Sequence, residues 1–459
     1  MSKNGVGVTC KKKGHTVTIV NTPANITTLR SLLPQTSTVR LVDLPFNPTD
    51  HGLPPGFEST DGLPFDLHPR FLQATETLRP AFESFISDTL SPNPPSSTLC
   101  IISDVLHCWT VETAADLNVF HSLFLVFSAY AAAVLTSVVW HLPRSDFAGG
   151  DEYYPLPNRP NIRLHQSQLP KFLLSPEKFR PLIDFHQRHI TLTRRSGGFL
   201  VNTVQDLERE GVEFLKDWMG GIPVWTVGPI LHHPVSESEH DCIGWLGNRP
   251  PNSVLYVSFG SMNTISSSQM MELAMGLEAS EASFVWVVRP PVEFDYKGGF
   301  RAEEWLPEGF EERMRGKKRG ILVRGWAPQM EILAHASTRA FLSQCGWNSV
   351  LEGLMNGLPM IGWPIEFEQF YSVKMLMEEK GVCVEIARGN NTAVDRVHVE
   401  KTIRSVMDGG EEGEEMRRKA RELGKVLREA VGEGGPSVRA MDDFLKTALS
   451  PVSSSAKIN

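Results

Sequence analysis

Short apolar runs rich in β-branched residues alternate along the chain with longer amphipathic segments. This alternation is typical of parallel α/β sheets, because strands that are buried on both faces are joined by crossover helices. The pattern predicts a first set of strands at residues 15–20, 39–44, 99–103, 123–127, 198–202 and 224–227. It predicts a second set at residues 253–259, 284–288, 320–324, 340–343 and 360–363. The chain is therefore predicted to be an α/β protein with two sheets.

A polar stretch separates the two sets of strands. Residues 232–241 contain a proline and show no hydrophobic periodicity, which indicates a linker that divides the chain near residue 236. The length of 459 residues also exceeds what one hydrophobic core usually supports. We therefore expect a first domain at 1–235, a second domain at 236–435, and a C-terminal helix and tail at 436–459 whose helix packs back on the first domain.

The longest apolar stretch, residues 123–140, has about the length of a membrane span, but polar residues interrupt it. It is better explained by a buried strand followed by a helix that Ser128 caps and Pro143 ends, so we expect no stable membrane insertion. Residues 46–64 and 292–305 are polar and predict surface loops.

Charge and cysteine content narrow the possible partners. The formal net charge of −8 argues against a nucleic-acid partner, which requires a basic face. The six cysteines form no CxxC pair and no Cys/His cluster with zinc spacing, so we expect free thiols in a reducing cytoplasm and no metal site. Residues 1–13 lack the apolar core of a secretory signal.

The segment that follows the predicted strand at 340–343 has the composition of an anion site. The strand stops at Gln344 and Gly346, and Asn348 and Ser349 stand in the first turn of the next helix, which Gly357 ends. Free backbone N–H groups and the positive end of a helix attract anions, and the two polar side chains add donors. Many strand–helix turns share these features without binding anything, so the turn alone is weak evidence.

The surrounding run is far more specific. Residues 326–369, WAPQMEILAHASTRAFLSQCGWNSVLEGLMNGLPMIGWPIEFEQ, resemble the signature box of the plant secondary-product glycosyltransferases. The flanking runs LYVSFGS at 255–261 and FVWVVR at 284–289 match that family too. The resemblance implies the GT-B fold, in which two Rossmann-like doubly wound domains face a cleft. It also implies a UDP-sugar donor, a small-molecule acceptor and a monomeric enzyme of plant secondary metabolism that needs no metal or cofactor.

The resemblance assigns roles in nucleoside binding by position. Trp326 would stack its indole on uracil, the Ala327 backbone would contact the uracil edge, and Gln329 would lie near the nucleoside. Glu352 would accept hydrogen bonds from the ribose hydroxyls.

The resemblance also assigns the rest of the donor. Ser261, Gly346, Asn348 and Ser349 would hold the diphosphate. Trp347, Glu368 and Gln369 would contact the hexose, and in this family the Trp and the final Gln accompany UDP-glucose. The alternatives are that Trp347 and Trp363 are core aromatics and that Glu352 is a helix-surface carboxylate.

The chain departs from the family pattern in three places. Gln344 stands where the family has a histidine that donates to the β-phosphate, and because Gln carries no charge we expect weaker donor binding. Ser372 stands where Asn is usual. The third departure is at the amino terminus, where the chain enters the family pattern at the run GHTVTIVNTP, residues 14–23, without the first strand, QGH loop and helix.

This third departure concerns catalysis, because the loop histidine is the family's catalytic base and a nearby Asp stabilises its imidazolium. Asp104 matches that Asp, but no residue matches the histidine. His15 belongs to a later, structural motif, and His107 is a weak substitute candidate. The strands at 15–20 and 99–103 would then flank an unfilled position in the first sheet, since three residues, 11–13, cannot form a parallel crossover.

We therefore expect an inverting UDP-glucose-dependent O-glucosyltransferase that acts on a phenolic, terpenoid or hormone hydroxyl, with a truncated amino terminus. Two alternatives stay open. The chain is either a catalytically impaired UDP-sugar-binding pseudoenzyme or an incomplete gene model of an active enzyme.

Overall fold

The structure is a computed structural model, and it describes residues 10, 13–33, 37–90, 99–143, 153–231, 240–261, 264–294, 299–390 and 392–450. The predicted boundary near residue 236, and the predicted linker except His240 and Asp241, lie outside these residues. Within the described ranges, no helix is both long and apolar enough to cross a membrane.

The parallel strands of the first domain form two sheets. β1 (Thr18–Asn21) pairs with β2 (Arg40–Asp43) in one sheet. The second sheet has the order β3-β4-β7-β8, with strands β3 (Cys100–Asp104), β4 (Phe120–Leu125), β7 (Phe199–Val201) and β8 (Val224–Thr226). In the described part of the chain β1 and β3 thus belong to different sheets, although they are the two strands expected to flank the unfilled position.

An antiparallel hairpin, β5 (Tyr153–Leu156) with β6 (Arg159–His165), follows within the first domain. The sequence pattern did not predict it, because prolines interrupt the alternation of both strands.

The helices of the first domain cover its sheets and hairpin. They are α1 (Pro23–Leu32), α2 (His68–Thr75), α3 (Arg79–Leu90), α4 (Trp109–Asp116), α5 (Ala129–His141), α6 (Arg180–Thr193) and α7 (Arg209–Trp218). Short 3₁₀ turns occupy Pro48–His51, Phe65–Leu67, Glu76–Leu78, Gln166–Gln168 and Lys171–Leu173. The Ser128 hydroxyl accepts a hydrogen bond from the backbone of Ala131, which confirms the predicted cap of α5.

The second domain has one parallel sheet of six strands in the order β11-β10-β9-β12-β13-β14. The strands are β9 (Val254–Ser258), β10 (Ser283–Val288), β11 (Gly320–Arg324), β12 (Thr338–Ser343), β13 (Met360–Gly362) and β14 (Cys383–Glu385). Five of them match the predicted set, and β14 is too short for its pattern to stand out. The predicted α/β class with parallel sheets in two domains is confirmed.

The helices of the second domain cover both faces of this sheet. They are α8 (Asp241–Gly247), α9 (Ser267–Ser280), α10 (Ala302–Trp305), α11 (Phe310–Gly316), α12 (Gln329–Ala334), α13 (Trp347–Met355), α14 (Gln369–Met375), α15 (Arg396–Met407) and α16 (Glu411–Val431). A π-helical turn at Leu376–Lys380 extends α14.

The prediction of a surface loop over 292–305 is wrong at its end. Trp305, the last residue of α10, is buried. Its ring lies 5.0 Å from that of Phe294 and 5.2 Å from that of Phe300, centroid to centroid. Burial of the Trp305 ring against two more accessible aromatic rings outweighs the polar residues between them.

The last helix, α17 (Pro436–Ala448), crosses from the second domain to the sheet of the first. Phe444 packs on Trp225 of β8 with ring centroids 5.3 Å apart. The Trp225 indole also donates to the Asp443 carboxylate at 2.7 Å. The two domains are therefore joined by this helix.

Candidate functional site

The strand order of the six-stranded sheet reverses between β9 and β12. β10 and β11 extend the sheet beyond β9, while β13 and β14 extend it beyond β12. In open parallel sheets of this kind, ligands bind in the crevice outside the carboxyl ends of the strands at the reversal. β9 ends at Ser258 and β12 at Ser343, and these two residues are in register. The loops that follow them therefore form the floor of a candidate binding site.

Gln344 and Gly260 meet at this crevice. The buried Gln344 side chain accepts a hydrogen bond through Oε1 from the Ser343 hydroxyl at 3.0 Å. Gly260 has a φ of +74°, and a Cβ at that position would overlap Nε2 of Gln344. A side chain at position 260 would displace this amide, because the Gln344 side chain lies between the loop after β9 and the loop after β12.

The N-terminus of α13 follows directly. Cys345 has a φ of +59°, a left-handed conformation that few non-glycine residues adopt, at the turn from β12 into the helix. Gly346 is the N-cap, and no side chain caps the first-turn N–H groups. Asn348 is exposed and Ser349 is buried in that first turn. Uncapped N–H groups, the helix dipole and two polar side chains together suit an anionic ligand.

A hydrogen-bonded group lies one turn further along α13. Gln329, the first residue of α12, donates through Nε2 to the Glu352 carboxylate at 2.6 Å and to the Ser349 hydroxyl at 3.3 Å. The Tyr256 hydroxyl donates to Oε1 of Gln329 at 3.1 Å, which fixes the orientation of the amide. Burial raises the pKa of Glu352, and the hydrogen bond from Gln329 partly offsets this. The structure thus brings Gln329, Ser349 and Glu352 together, and Glu352 is not a free surface carboxylate.

Trp326 is the most exposed aromatic residue near this group. It follows β11, and 58% of its surface is accessible to solvent. Ala327 beside it is buried, and its carbonyl accepts from the Gln329 backbone at 2.8 Å. An indole that is exposed three residues before Gln329 is suited to stacking on a planar ligand group.

Glu368 and Gln369 lie at the start of α14, after β13. The buried Gln369 accepts through Oε1 from the backbone N–H groups of Ile365 at 2.9 Å and Glu366 at 3.2 Å. Its side-chain NH₂ is thereby oriented away from that turn. Burial raises the pKa of Glu368 to about 7, and the neighbouring charge of Glu366 adds to the effect.

The two tryptophans that had a core alternative are both buried, and both indole N–H groups donate to backbone carbonyls. Trp363 is inaccessible and donates to Gly389 at 3.0 Å, so it is a core residue. Trp347 is 2% exposed and donates to Asn202 of the first domain at 2.7 Å. Ser261 is exposed beyond β9, and its carbonyl accepts from Arg289.

Sequence reasoning missed Asn202, which follows β7 in the first domain. Besides accepting from Trp347, it donates through Nδ2 to Oδ1 of Asn348 at 3.2 Å. Asn202 and Asn348 are 146 residues apart, and no local pattern connects them. The one signal in the sequence is a polar residue directly after a buried strand.

A second contact between the domains borders the turn before α14. Lys171 donates to Oδ1 of Asn390 at 2.9 Å. Burial raises the pKa of Glu366, and the positive charge of Lys171 partly offsets this increase. The rings of Phe172 and Phe367 lie 6.3 Å apart. The first domain therefore contacts the second both at the N-terminus of α13 and near the turn before α14.

Asp104 lies at the carboxyl end of β3 in the first domain. Its Oδ1 accepts from the Leu106 backbone at 2.8 Å, and its carbonyl accepts from the backbone of His107 at 2.9 Å. Its catalytic role stays a prediction. In the described ranges, no group of three or more His, Cys, Asp or Glu residues could hold a metal ion.

Comparisons with known proteins agree with this geometry. The family described as "UDP-glucoronosyl and UDP-glucosyl transferase" matches residues 232–418. UDP-glycosyltransferase 92A1 of Arabidopsis thaliana is 38% identical over 95% of this chain and 90% of its own length. UDP-glucose flavonoid 3-O-glucosyltransferase 7 of Fragaria ananassa is 34% identical over 92% of this chain and 88% of its own length.

A solved structure matches over nearly the whole chain. It is UGT73P12 of Glycyrrhiza uralensis, complexed with glycyrrhetinic acid 3-O-monoglucuronide, with a TM-score of 0.79 and 29% identity over 95% of this chain and 90% of that one. The fold is therefore that of the plant GT-B glycosyltransferases. The reversal of the strand order, the signature run around it and these relatives lead to one conclusion: the chain belongs to the plant UDP-glycosyltransferase family.

Proposed function

We propose that this protein is an inverting UDP-glucose-dependent O-glucosyltransferase that acts on a hydroxyl of a small phenolic, terpenoid or hormone-type molecule. The observation that carries the proposal is the meeting of Gln329, Ser349 and Glu352 with the uncapped N-terminus of α13 at the reversal of the strand order. The Fragaria relative, named for transfer from UDP-glucose to a flavonoid, supports the donor and the acceptor class. We further propose that the enzyme is a cytoplasmic monomer of secondary metabolism.

The donor would occupy the crevice in an extended form. Uracil would stack on the exposed indole of Trp326, and the ribose hydroxyls would donate to the Glu352 carboxylate. The hydrogen bond from Gln329 would hold this carboxylate in place. The diphosphate would receive hydrogen bonds from the first turn of α13, with Asn348 and Ser349 as side-chain donors. Gly346 and Ser261 lie on the two loops that border this position.

The hexose would then lie toward α14. Oε1 of Gln369 is occupied by backbone donors, which leaves its NH₂ group for a sugar hydroxyl. The Glu368 carboxylate would accept from neighbouring hydroxyls. The indole N–H of the buried Trp347 already donates to Asn202 of the first domain. Trp347 would therefore border the sugar with its ring and would not donate to it.

Transfer would proceed by one displacement. The acceptor oxygen loses its proton to a base and attacks the anomeric carbon from the face opposite UDP. The bond from that carbon to the phosphate oxygen breaks, UDP departs with the electron pair, and the α-linkage becomes β. Hydrogen bonds from the N-terminus of α13 would stabilise the charge that develops on UDP. Gln344 would contribute a neutral donor there, which is weaker than a charged one.

Asp104 would stabilise the protonated base, as its match to the family's Asp implies.

A second candidate function follows from the arrangement of the first domain, in which β1 and β3 belong to different sheets in the described part of the chain. This second candidate is a UDP-sugar-binding protein with impaired catalysis. It would need the crevice of the second domain but not an acceptor-binding site in the first domain.

Replacing Trp326 by Ala should weaken UDP binding by about 1–3 kcal/mol, because the mutation removes a base-stacking surface. Isothermal titration of the full chain with UDP measures this change. Trp140, which is also partly exposed but lies on α5 of the first domain, offers the matched control Trp140→Ala, whose UDP affinity should equal that of the wild type. Equal UDP affinity for Trp326→Ala and the wild type would remove Trp326 from the donor site.

The affinity for UDP-glucose should rise severalfold between pH 6 and pH 8. The Glu368 pKa of about 7 means that the group is mostly protonated at pH 6 and mostly a carboxylate, the stronger acceptor for sugar hydroxyls, at pH 8. Titration calorimetry of the wild type and of Glu368→Gln tests this, since the variant should lose the pH dependence. Glu379→Gln, a control carboxyl whose pKa burial also raises, should keep it. A pH dependence that persists in Glu368→Gln would assign the titration to another group.

The last prediction separates the two candidate functions. If the second candidate function holds, a version of the chain with a family-like strand–QGH–helix unit inserted before Gly14 should transfer glucose about 10²–10⁴ times faster, the contribution typical of a general base. It should also melt at a higher temperature, because the unit would pair with the edges of β1 and β3. Assays with UDP-glucose and a panel of phenols, with the product anomer read by NMR, measure the transfer.

The control for this insertion carries Ala in place of the loop histidine, which should restore melting but not the rate. The chain without the insert could instead melt as cooperatively and transfer glucose as fast as the version with it. Its own residues would then supply the base, and the second candidate function would be excluded.

A further inference from the structure

Asn202 combines complete burial with four hydrogen bonds that involve its side chain or its carbonyl. It stands at the end of β7, is 0% exposed, and reaches across to the first turn of α13 in the other domain. Gly228 packs so closely on it that a Cβ there would lie 2.6 Å from Oδ1 of Asn202. The side chain is therefore held in one position.

The orientation of the Asn202 amide is determined by a backbone donor. The N–H of Ile230 can only donate, and it lies 2.7 Å from one side-chain atom of Asn202, which must therefore be Oδ1. Nδ2 then faces away from this N–H, where it contacts the Ile230 carbonyl at 3.5 Å and Asn348 at 3.2 Å.

The same logic continues into the second domain. Because Nδ2 of Asn202 is a donor, the atom of Asn348 that faces it must be Oδ1. The NH₂ group of Asn348 is consequently turned away from Asn202, and within the described residues it donates to no protein group. Asn348 is exposed and lies in the uncapped first turn of α13, where the two remaining hydrogens of its amide are available to a ligand.

The backbone of Asn202 fixes the same turn by a second route. Its carbonyl accepts from the Trp347 indole at 2.7 Å, and Trp347 is the residue directly before Asn348. Trp347 is buried, so breaking this bond would leave an unsatisfied donor in the interior. Trp347 and Asn348, the first two residues of α13, are thus both bound to one residue of the first domain.

We propose that Asn202 is a positioning residue for the donor: through Asn348 it directs an N–H donor, and not a carbonyl oxygen, at the diphosphate. The inference rests on the proposed placement of the diphosphate at α13. It makes phosphate binding by the second domain depend on contact with the first, because a free Asn348 amide could present either end to the ligand. An oxygen turned toward the phosphate would repel it instead of binding it.

The test is a double-mutant cycle in the full chain, with UDP and uridine affinities measured by calorimetry. In Asn202→Asp both side-chain oxygens accept, so the Asn348 amide should rotate to donate to them and turn its oxygen to the ligand. We expect UDP affinity to fall about tenfold, the effect of one charge-assisted hydrogen bond, with uridine affinity unchanged. Asn348→Ala should cause a similar loss, and adding Asn202→Asp to it should cause no further loss. Asn202→Ala, which frees the Asn348 amide to rotate, should cause a smaller loss in the same cycle, and it serves if the Asp variant does not fold.

The outcomes separate the two claims. Two results would overturn the positioning role and leave the diphosphate placement intact. The first is that the Asn202 variants bind UDP like the wild type. The second is that the loss of UDP affinity in Asn202→Asp persists in the Asn348→Ala background. The second of these results would indicate simple charge repulsion. Asn348→Ala with unchanged UDP affinity would overturn the diphosphate placement itself, and the positioning role with it. Asn248→Asp, a surface control whose amide donates to Gly244, should change neither affinity.

Discussion

The reversal of strand order between β9 and β12 is the constraint on which the site depends. The chain continues from β9 toward one edge of the sheet and from β12 toward the other edge. The crevice at the carboxyl ends of these two neighbouring strands is therefore open to a ligand. The two loops after these strands approach closely, since a Cβ at Gly260 would overlap the Gln344 amide. The helix dipole of α13 then points into a space that is already bordered by polar groups, and the proposed nucleotide binding rests on this arrangement of the backbone.

The first domain completes the second at this edge. The Trp347 indole is buried and needs an acceptor, and Asn202 supplies it from the other sheet. Separation of the domains would break this hydrogen bond, which contributes about 1 kcal/mol net, at the turn that we propose to hold the phosphate. Domain contact and the proposed donor binding would for this reason be coupled, with α17 as a second connection between the domains.

Much of this could be predicted from the sequence, for physical reasons that particular residues make plain. Strands such as β9 and β10 are buried on both faces and form continuous apolar runs, while β14 has only three residues and the β5–β6 hairpin contains prolines. Gln329, Ser349 and Glu352 were grouped by a resemblance over a long run, and they meet in the structure. Asn202 could not be found in this way, because its role depends on a contact between residues that are distant in the chain. The burial of Trp305 likewise depends on aromatic neighbours that a local polar pattern conceals.

The central claim is that the crevice between β9 and β12 binds the UDP-sugar donor, and a crystal structure of the full chain with UDP tests it most directly. We predict uracil against the Trp326 indole, ribose hydroxyls within hydrogen-bond distance of Glu352, and the diphosphate at the first turn of α13. A well-ordered UDP molecule bound elsewhere on the chain, with this crevice empty at saturating UDP, would contradict the account.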